Sequence, residues 1–305
     1  MTFNNILKYT ILLVSVVLCG ACDRFDGDVT VPAYLKIDAM TVVDDPSDSW
    51  SQESGFFTNL IDAVSITIFQ DGDTAEMDLG TFQLPCKVPV LRKGKLSRLR
   101  ITPVVKQDGI AGKRIYYPYY EKVRLTDVPV AADSVTDLGI LQTKYIPRGR
   151  MIVKWQEFFE PGPGDVSLDT VVTRCFATDT VLSGYGCGVI RIGEDQSSLS
   201  FWKDSTINLT DPQYYVYIEM DYWSDHDFSI GLYNPSTSGG QNYLKSHMTI
   251  YGKPEKGWQK IYINIGALWA KEYFYYPDIR PYFTILNSGG TKGNLYLDNI
   301  KLVVM

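Results

Sequence analysis

Two pairs of carboxylates lie close enough in the sequence to raise the question of acid–base chemistry: Glu157 with Glu160, and Asp225 with Asp227 on either side of His226. Glycoside hydrolysis needs one carboxyl held protonated and another held ionised across a cleft of about 5 to 9.5 Å. Near neighbours in one loop or at one strand start do not span such a cleft, so these pairs suit binding better than hydrolysis. His226 and His247 are the only histidines, which leaves little room for a Ser/His/Asp arrangement. The sequence contains no GxSxG elbow, no HExxH zinc helix and no P-loop. Gly184, Gly186 and Gly188 alternate, but no strand-to-helix pattern surrounds them and a tight turn accounts for them better than a phosphate cradle. The chain is expected to be non-catalytic and to carry no organic cofactor.

The N-terminus carries a targeting pattern. Lys8 is the only charged residue before Asp23, and Tyr9 to Ala21 is an apolar and small-residue run. That run is shorter than the about 20 residues a membrane-spanning helix needs, and it has the form of a cleaved signal. Leu18-Cys19-Gly20-Ala21-Cys22 resembles the lipobox of bacterial lipoproteins, with Cys19 standing where Leu usually does. The resemblance implies cleavage after residue 21 and lipidation of Cys22, which would tether the chain to a membrane. Ordinary secretory cleavage near Ala21 is the alternative. Asp23-Arg24-Phe25-Asp26-Gly27-Asp28 is similar to the acidic stretch that sends lipoproteins of the Bacteroidota to the outer face of the outer membrane, so the expected location is the cell surface. Losing residues 1–21 removes one lysine and no acid, taking the net charge from −6 to −7. Nucleic-acid binding is not supported by that balance.

With Cys19 removed and Cys22 lipidated, Cys86, Cys175 and Cys187 remain. Cys175 and Cys187 flank the turn-like Ser183-Gly184-Tyr185-Gly186, and a disulfide between them suits an oxidising compartment. Cys86 is expected as a buried free thiol. No CxxC pair is present among these three, so zinc is not indicated. The aromatics are the informative excess, with 21 Tyr, 13 Phe and 6 Trp. Trp223 falls on one strand face with Tyr215 and Tyr217, opposite Val216, Ile218 and Met220. Trp269, Tyr273, Tyr275, Tyr276 and Tyr282 crowd a segment broken by Pro277 and Pro281. A stripe at strand spacing is either core or a face covered by a neighbouring domain, whereas an aromatic, proline-bearing loop has the character of an interaction surface. The expected ligand contacts are therefore Trp223, Trp269, Tyr273, Tyr275 and Tyr276.

These residues must be positioned by strands, because a period of two dominates the sequence. Leu35, Ile37, Ala39, Thr41 and Val43 share one face, Val64, Ile66 and Ile68 another, and Leu99 and Ile101 alternate with Arg98, Arg100 and Thr102. Pro147-Arg148-Gly149-Arg150 punctuates the pattern and marks a domain boundary. The expected order is a signal peptide over 1–21, a tether over 22–33, an immunoglobulin- or fibronectin-like β-sandwich over 34–148 and a second β-domain over 149–305. In that second part, strands begin at Met151-Val153-Trp155 and recur at Val216, Phe228, Ile261 and Leu295. At Asp298-Asn299 the apolar phase slips, the signature of a bulge.

Trp155 to Glu160, Gly257-Trp258-Gln259-Lys260-Ile261 and Gly293-Asn294-Leu295-Tyr296-Leu297-Asp298-Asn299-Ile300 together resemble the galactose-binding-like jelly rolls of carbohydrate-binding modules. The resemblance covers about Met151 to Met305 and specifies fold rather than ligand. It implies a structural calcium with Glu160 and Asp298 among its oxygen ligands; without the ion, Glu160 is a loop carboxylate and Asp298 an acceptor at its bulge. Two functions follow. One is a surface module whose jelly roll captures a glycan, with the first domain as a spacer. The other is an accessory subunit of an outer-membrane assembly, its aromatic surfaces binding protein.

Overall fold

The computed structural model describes residues 31–48, 55–92, 94–162, 166–209, 215–235, 243–273 and 277–305, the side chains of 243, 272 and 273 excepted. The first half runs β1 (Ala33–Ile37), β2 (Ala39–Val42), β3 (Ala63–Phe69), β4 (Met77–Gln83), β5 (Cys86–Val90), β6 (Gly94–Leu96), β7 (Arg98–Lys106), β8 (Arg114–Tyr116), β9 (Val123–Leu125), β10 (Val128–Val130), β11 (Val135–Asp137) and β12 (Ile140–Thr143). The second runs β13 (Ile152–Glu157), β14 (Thr173–Cys175), β15 (Cys187–Ile192), β16 (Ser198–Trp202), β17 (Ile207–Asn208), β18 (Val216–Ser224), β19 (Asp227–Asn234), β20 (Tyr243–Ile250), β21 (Gln259–Asn264), β22 (Asp278–Leu286) and β23 (Gly293–Val304). The all-β sandwich expected from the alternation is what forms. No helix among the described residues is long and apolar enough to cross a membrane.

In the first half an antiparallel sheet of order β4-β3-β7-β8, with β9 also on β7, covers a mixed sheet in which β1 pairs in parallel with β11 and antiparallel with β5. The single strand expected over Tyr34 to Val43 breaks at Asp38, and β2 then pairs in parallel with β12. Leu35, Ile37, Val64, Ile66, Val88 and Ile101 fill the core between these layers.

The second half is a two-sheet sandwich of the jelly-roll kind. One sheet has the order β14-β15-β23-β18-β21 with β13 also on β23; the other has β16-β22-β19-β20 with β17 also on β22. Ile190, Ile218, Phe228, Ile230, Phe283, Ile285, Leu295 and Leu302 interdigitate between them, as packed sheets require. The expected bulge is present. Glu219 opposes Lys301 and Asp221 opposes Asp298, so Asn299 and Ile300 together face Met220, and Asn299 takes φ +50°. That extra residue moves the apolar face from Leu295 and Leu297 to Ile300, Leu302 and Val304.

The outer face of the six-stranded sheet is where the halves join. Tyr217, Tyr262 and Val303 belong to the core of the first half, and Tyr117 packs its ring 4.8 Å from Tyr262 and 5.3 Å from Tyr217. Tyr119 donates to the carbonyl of Tyr215 at 2.7 Å. At the centre Lys301 meets Glu219 at 2.9 Å, both fully buried. Tyr117 and Tyr145 each donate to Glu219 at 2.7 Å, and Lys301 also donates to the Phe56 carbonyl. Burial works to raise the Glu219 carboxyl, but the charges of Lys301 and Lys260 and the two phenols hold it below the ordinary carboxylate range. Alongside, Asp221 accepts from Thr58 at 2.6 Å and from Asn299 at 2.8 Å. The loop bearing Thr58 reaches this depth because Gly55, at φ +88°, has no Cβ; one built there would lie 1.9 Å from Asn299 Oδ1.

Candidate functional site

The carboxylates that raised catalysis are already engaged. Glu157 accepts from the backbone N–H of Phe159 at 3.0 Å and from that of Ser167 at 2.8 Å. Glu160 takes the Tyr185 N–H at 3.0 Å. Asp225 accepts from Asn294 N at 2.8 Å, and Asp227 from Gly252 N at 2.8 Å. His226 Nε2 lies 3.1 Å from the carbonyl of Thr291. These side chains close loops; they do not face one another across a cleft.

Several expected site residues are placed elsewhere. Trp269, at the start of the helical stretch Trp269–Tyr273, is 2% exposed and belongs to the sandwich core, so it is no stacking platform. The short helix Gly266–Leu268 before it turns the ring inward. The Tyr273 side chain, Tyr275 and Tyr276 lie outside the described residues, as does Cys22. Trp223 is half-buried on the outer sheet face: its indole N–H donates to the Pro254 carbonyl at 3.1 Å and its ring packs 5.3 Å from Tyr296. It holds the Pro254–Lys256 turn down. Cys175 and Cys187 stand directly opposite each other on β14 and β15 as free thiols. Burial, then the neighbouring Cys175, pushes the Cys187 thiol up to about 12.

Glu160 and Asp298 touch the same loop. Glu160 takes the N–H of Tyr185, while Asp298 accepts from Ser183 Oγ at 3.3 Å and from Asn299 N at 2.8 Å. Burial pushes the Asp298 carboxyl up to about 8. Among the described residues no three His, Cys, Asp or Glu side chains gather as a metal cluster. A calcium there would rely on these two side chains and on backbone or hydroxyl oxygens of the 183–185 loop.

The surface with the character of a ligand site is the outer face of the five-stranded sheet. Ser198, Ser200 and Trp202 alternate with the inward Leu199 and Phe201 along β16. Register then sets Trp202 beside Tyr282, Tyr282 beside Gly231, and Arg280 beside Tyr233. Ser200 and Thr284 hydrogen-bond across the strands at 2.8 Å. Gly231 leaves the space into which the Tyr282 ring lies, since a Cβ there would sit 2.5 Å from it. Trp202 keeps 39% of its surface exposed, with its ring 6.5 Å from that of Tyr233. Beyond it opens a notch of about 740 Å³ lined by Leu168, Asp169, Thr173, Arg174, Trp202 and Asp204. The Asp169 N–H donates to the Trp202 carbonyl at 2.9 Å, which fixes that wall to the strand. On the sheet, Arg280 Nε is buried without a partner among the described residues. An exposed indole beside carboxylates and hydroxyls offers both a stacking face and hydrogen-bond partners. The alternation Ser-Leu-Ser-Phe-Trp was the sequence signal for it.

No protein-family model matches the sequence, and no curated protein matches it. Among solved structures the chain is similar to the family 30 carbohydrate-binding module of the cellulosomal cellulase Cel9D-Cel44B of Clostridium thermocellum, at 14% identity over 50% of this chain and 96% of that module, with a TM-score of 0.34. It is similar to the CBM22-1 xylan-binding domain of Paenibacillus barcinonensis Xyn10C, at 12% identity over 51% of this chain and 96% of that domain, TM-score 0.36. TmCBM61, solved in complex with β-1,4-galactotriose, aligns at 19% identity over 47% of this chain and 89% of its own, TM-score 0.29. What the strand order itself defines is a two-sheet jelly-roll sandwich joined to a second β-sandwich.

Proposed function

We propose that this is a non-catalytic, lipid-anchored surface protein of the outer membrane whose second half binds a glycan at the Trp202 notch. The observation that carries the reading is Trp202, a large aromatic left 39% exposed at a notch with Asp169, Thr173 and Asp204 around it. A sugar ring presents an apolar face and a polar rim, and that pairing matches an indole flanked by hydrogen-bonding groups. The absence of a catalytic role is supported by the loop-closing bonds of all four candidate carboxylates. The anchor is supported by the Leu18 to Cys22 sequence and the acidic stretch after it. A glycan array with the wild type and Trp202→Ala tests the reading: binding by the wild type, lost in a variant that still unfolds cooperatively, is expected. An empty array for the wild type contradicts it. A protein-binding role in an outer-membrane assembly is favoured by a different observation, the exposed Phe176, Leu182 and Tyr185 around a hollow of about 510 Å³.

A further inference from the structure

One wall of the Trp202 notch is a segment that crosses from one sheet of the second half to the other, and its two ends are held differently. At its start Leu168 bridges Lys203, the Asp169 N–H donates to the Trp202 carbonyl at 2.9 Å, and the Asp204 N–H donates to the Ser167 carbonyl at 3.1 Å. At its end it becomes β14, an edge strand of three residues that pairs with β15 alone among the described strands. Thr170, Val172, Thr173 and Arg174, which line the notch, all lie between the Leu168 bridge and Cys175. The last residue pair of the β14 attachment is Cys175 with Cys187.

Directly opposed residues on antiparallel strands have Cα atoms about 4.5 to 5.5 Å apart, inside the range of about 4.4 to 6.8 Å that a disulfide spans. The two thiols hydrogen-bond to each other, and Cys187 is fully buried while Cys175 is part-exposed. Cys175 is therefore the sulfur that an external disulfide reaches. Cys86 lies opposite Ile37 in the other half of the chain, which leaves Cys187 as the resolving thiol. The Cys175 thiolate attacks one sulfur of the external disulfide, forming a mixed disulfide and releasing one thiol; Cys187 then gives up its proton and displaces the second. Two protein thiols are oxidised, the external disulfide is reduced to two thiols that carry both protons, and no further electron acceptor is needed.

We propose that Cys175 and Cys187 are a redox modification site, at which thiol–disulfide exchange cross-links β14 to β15 and pins the far end of the notch wall. In the reduced chain that end is held by the three-residue ladder and by the Thr173 hydroxyl, which donates to the Val189 carbonyl at 3.3 Å. That the pinned wall serves a ligand rests on the Trp202 reading; the cross-link does not. The mature chain carrying Cys22→Ala, with Cys86, Cys175 and Cys187 as its thiols, is reduced with dithiothreitol, freed of it and treated with glutathione disulfide. Mass spectrometry should show the loss of two hydrogen atoms and a peptide joining Cys175 to Cys187, with Cys86 still open to alkylation after unfolding. Hydrogen–deuterium exchange over residues 170–175 should be at least about fivefold slower in the oxidised form than in the reduced one. Cys175→Ser and Cys187→Ala should each exchange like the reduced form under both conditions. Thiols that both remain open to alkylation, a glutathione adduct that persists on Cys175 without a cross-link, or a cross-link that leaves exchange over 170–175 unaltered would each overturn the assignment. Neither readout uses a ligand, so failure of the Trp202 site shows separately, in the glycan array.

Discussion

Replacing Lys301 by Met tests whether the two halves of the chain form one dry interior. Lys301 is fully buried, 2.9 Å from an equally buried Glu219, and also bonds the Phe56 carbonyl and Tyr145. Phe56 and Tyr145 belong to the first half and Glu219 and Lys301 to the second, so the substitution unlinks the halves as well as the pair. Methionine fills nearly the same volume but leaves the carboxylate with only the phenols of Tyr117 and Tyr145 as donors. Removing one partner of a buried ion pair costs about 3–5 kcal/mol. A domain of this size loses roughly 2–4 °C of melting temperature per kcal/mol, so a fall of about 10 °C is expected. Urea unfolding followed by fluorescence gives the free energy directly, and the midpoint should fall at an unchanged slope. Both halves should unfold in one transition. A loss below about 1 kcal/mol would mean that water reaches this pair and that the halves are not packed as described.

Asp298, whose carboxyl burial pushes up to about 8 from the ordinary 3.8, gives a pH signature. Between those values the folded chain holds a proton that the unfolded chain releases, so this group's contribution falls as pH rises from about 4 to about 8 and is level outside that window. Asp298→Asn should flatten that part of the stability–pH curve, read by thermal melting across the range. Trp269→Ala, a deletion in the core of the second half, should lower stability by about 3–5 kcal/mol in denaturant unfolding, against a smaller loss for Trp202→Ala, whose ring is part-exposed. Limited trypsinolysis should cut at the exposed Arg148 and Arg150. The nicked halves should then elute together on size exclusion, because Tyr217, Tyr262 and Val303 sit in the core of the first half; separate elution would contradict that packing.

The strands were legible because one-sided burial imposes alternation, and even the bulge at Asp298-Asn299 showed as a slip in the apolar phase. The junction was not. Tyr117 and Tyr119 alternate like strand residues, yet they lie after β8 and their partners Glu219 and Tyr215 are about a hundred positions away. Nothing local to a tyrosine encodes such a partner. The aromatic loop misled for a related reason: proline breaks after residue 276 signal irregular backbone, but a short helical turn over 266–273 is what directs Trp269 inward. Trp202 was within reach, since Ser198, Ser200 and Trp202 share a polar phase opposite Leu199 and Phe201.

Trp202 is the proposed ligand-stacking residue, and the indole N–H resonances report on it directly. Titration of the 15N-labelled protein with the oligosaccharide that scores highest on the array should shift the Trp202 Nε1–H signal, assigned by its absence in Trp202→Ala, progressively and to saturation. The signals of Trp269 in the core and Trp223 at its Pro254 bond should stay in place. A Trp202 signal that does not move while another indole does would rule out stacking at Trp202.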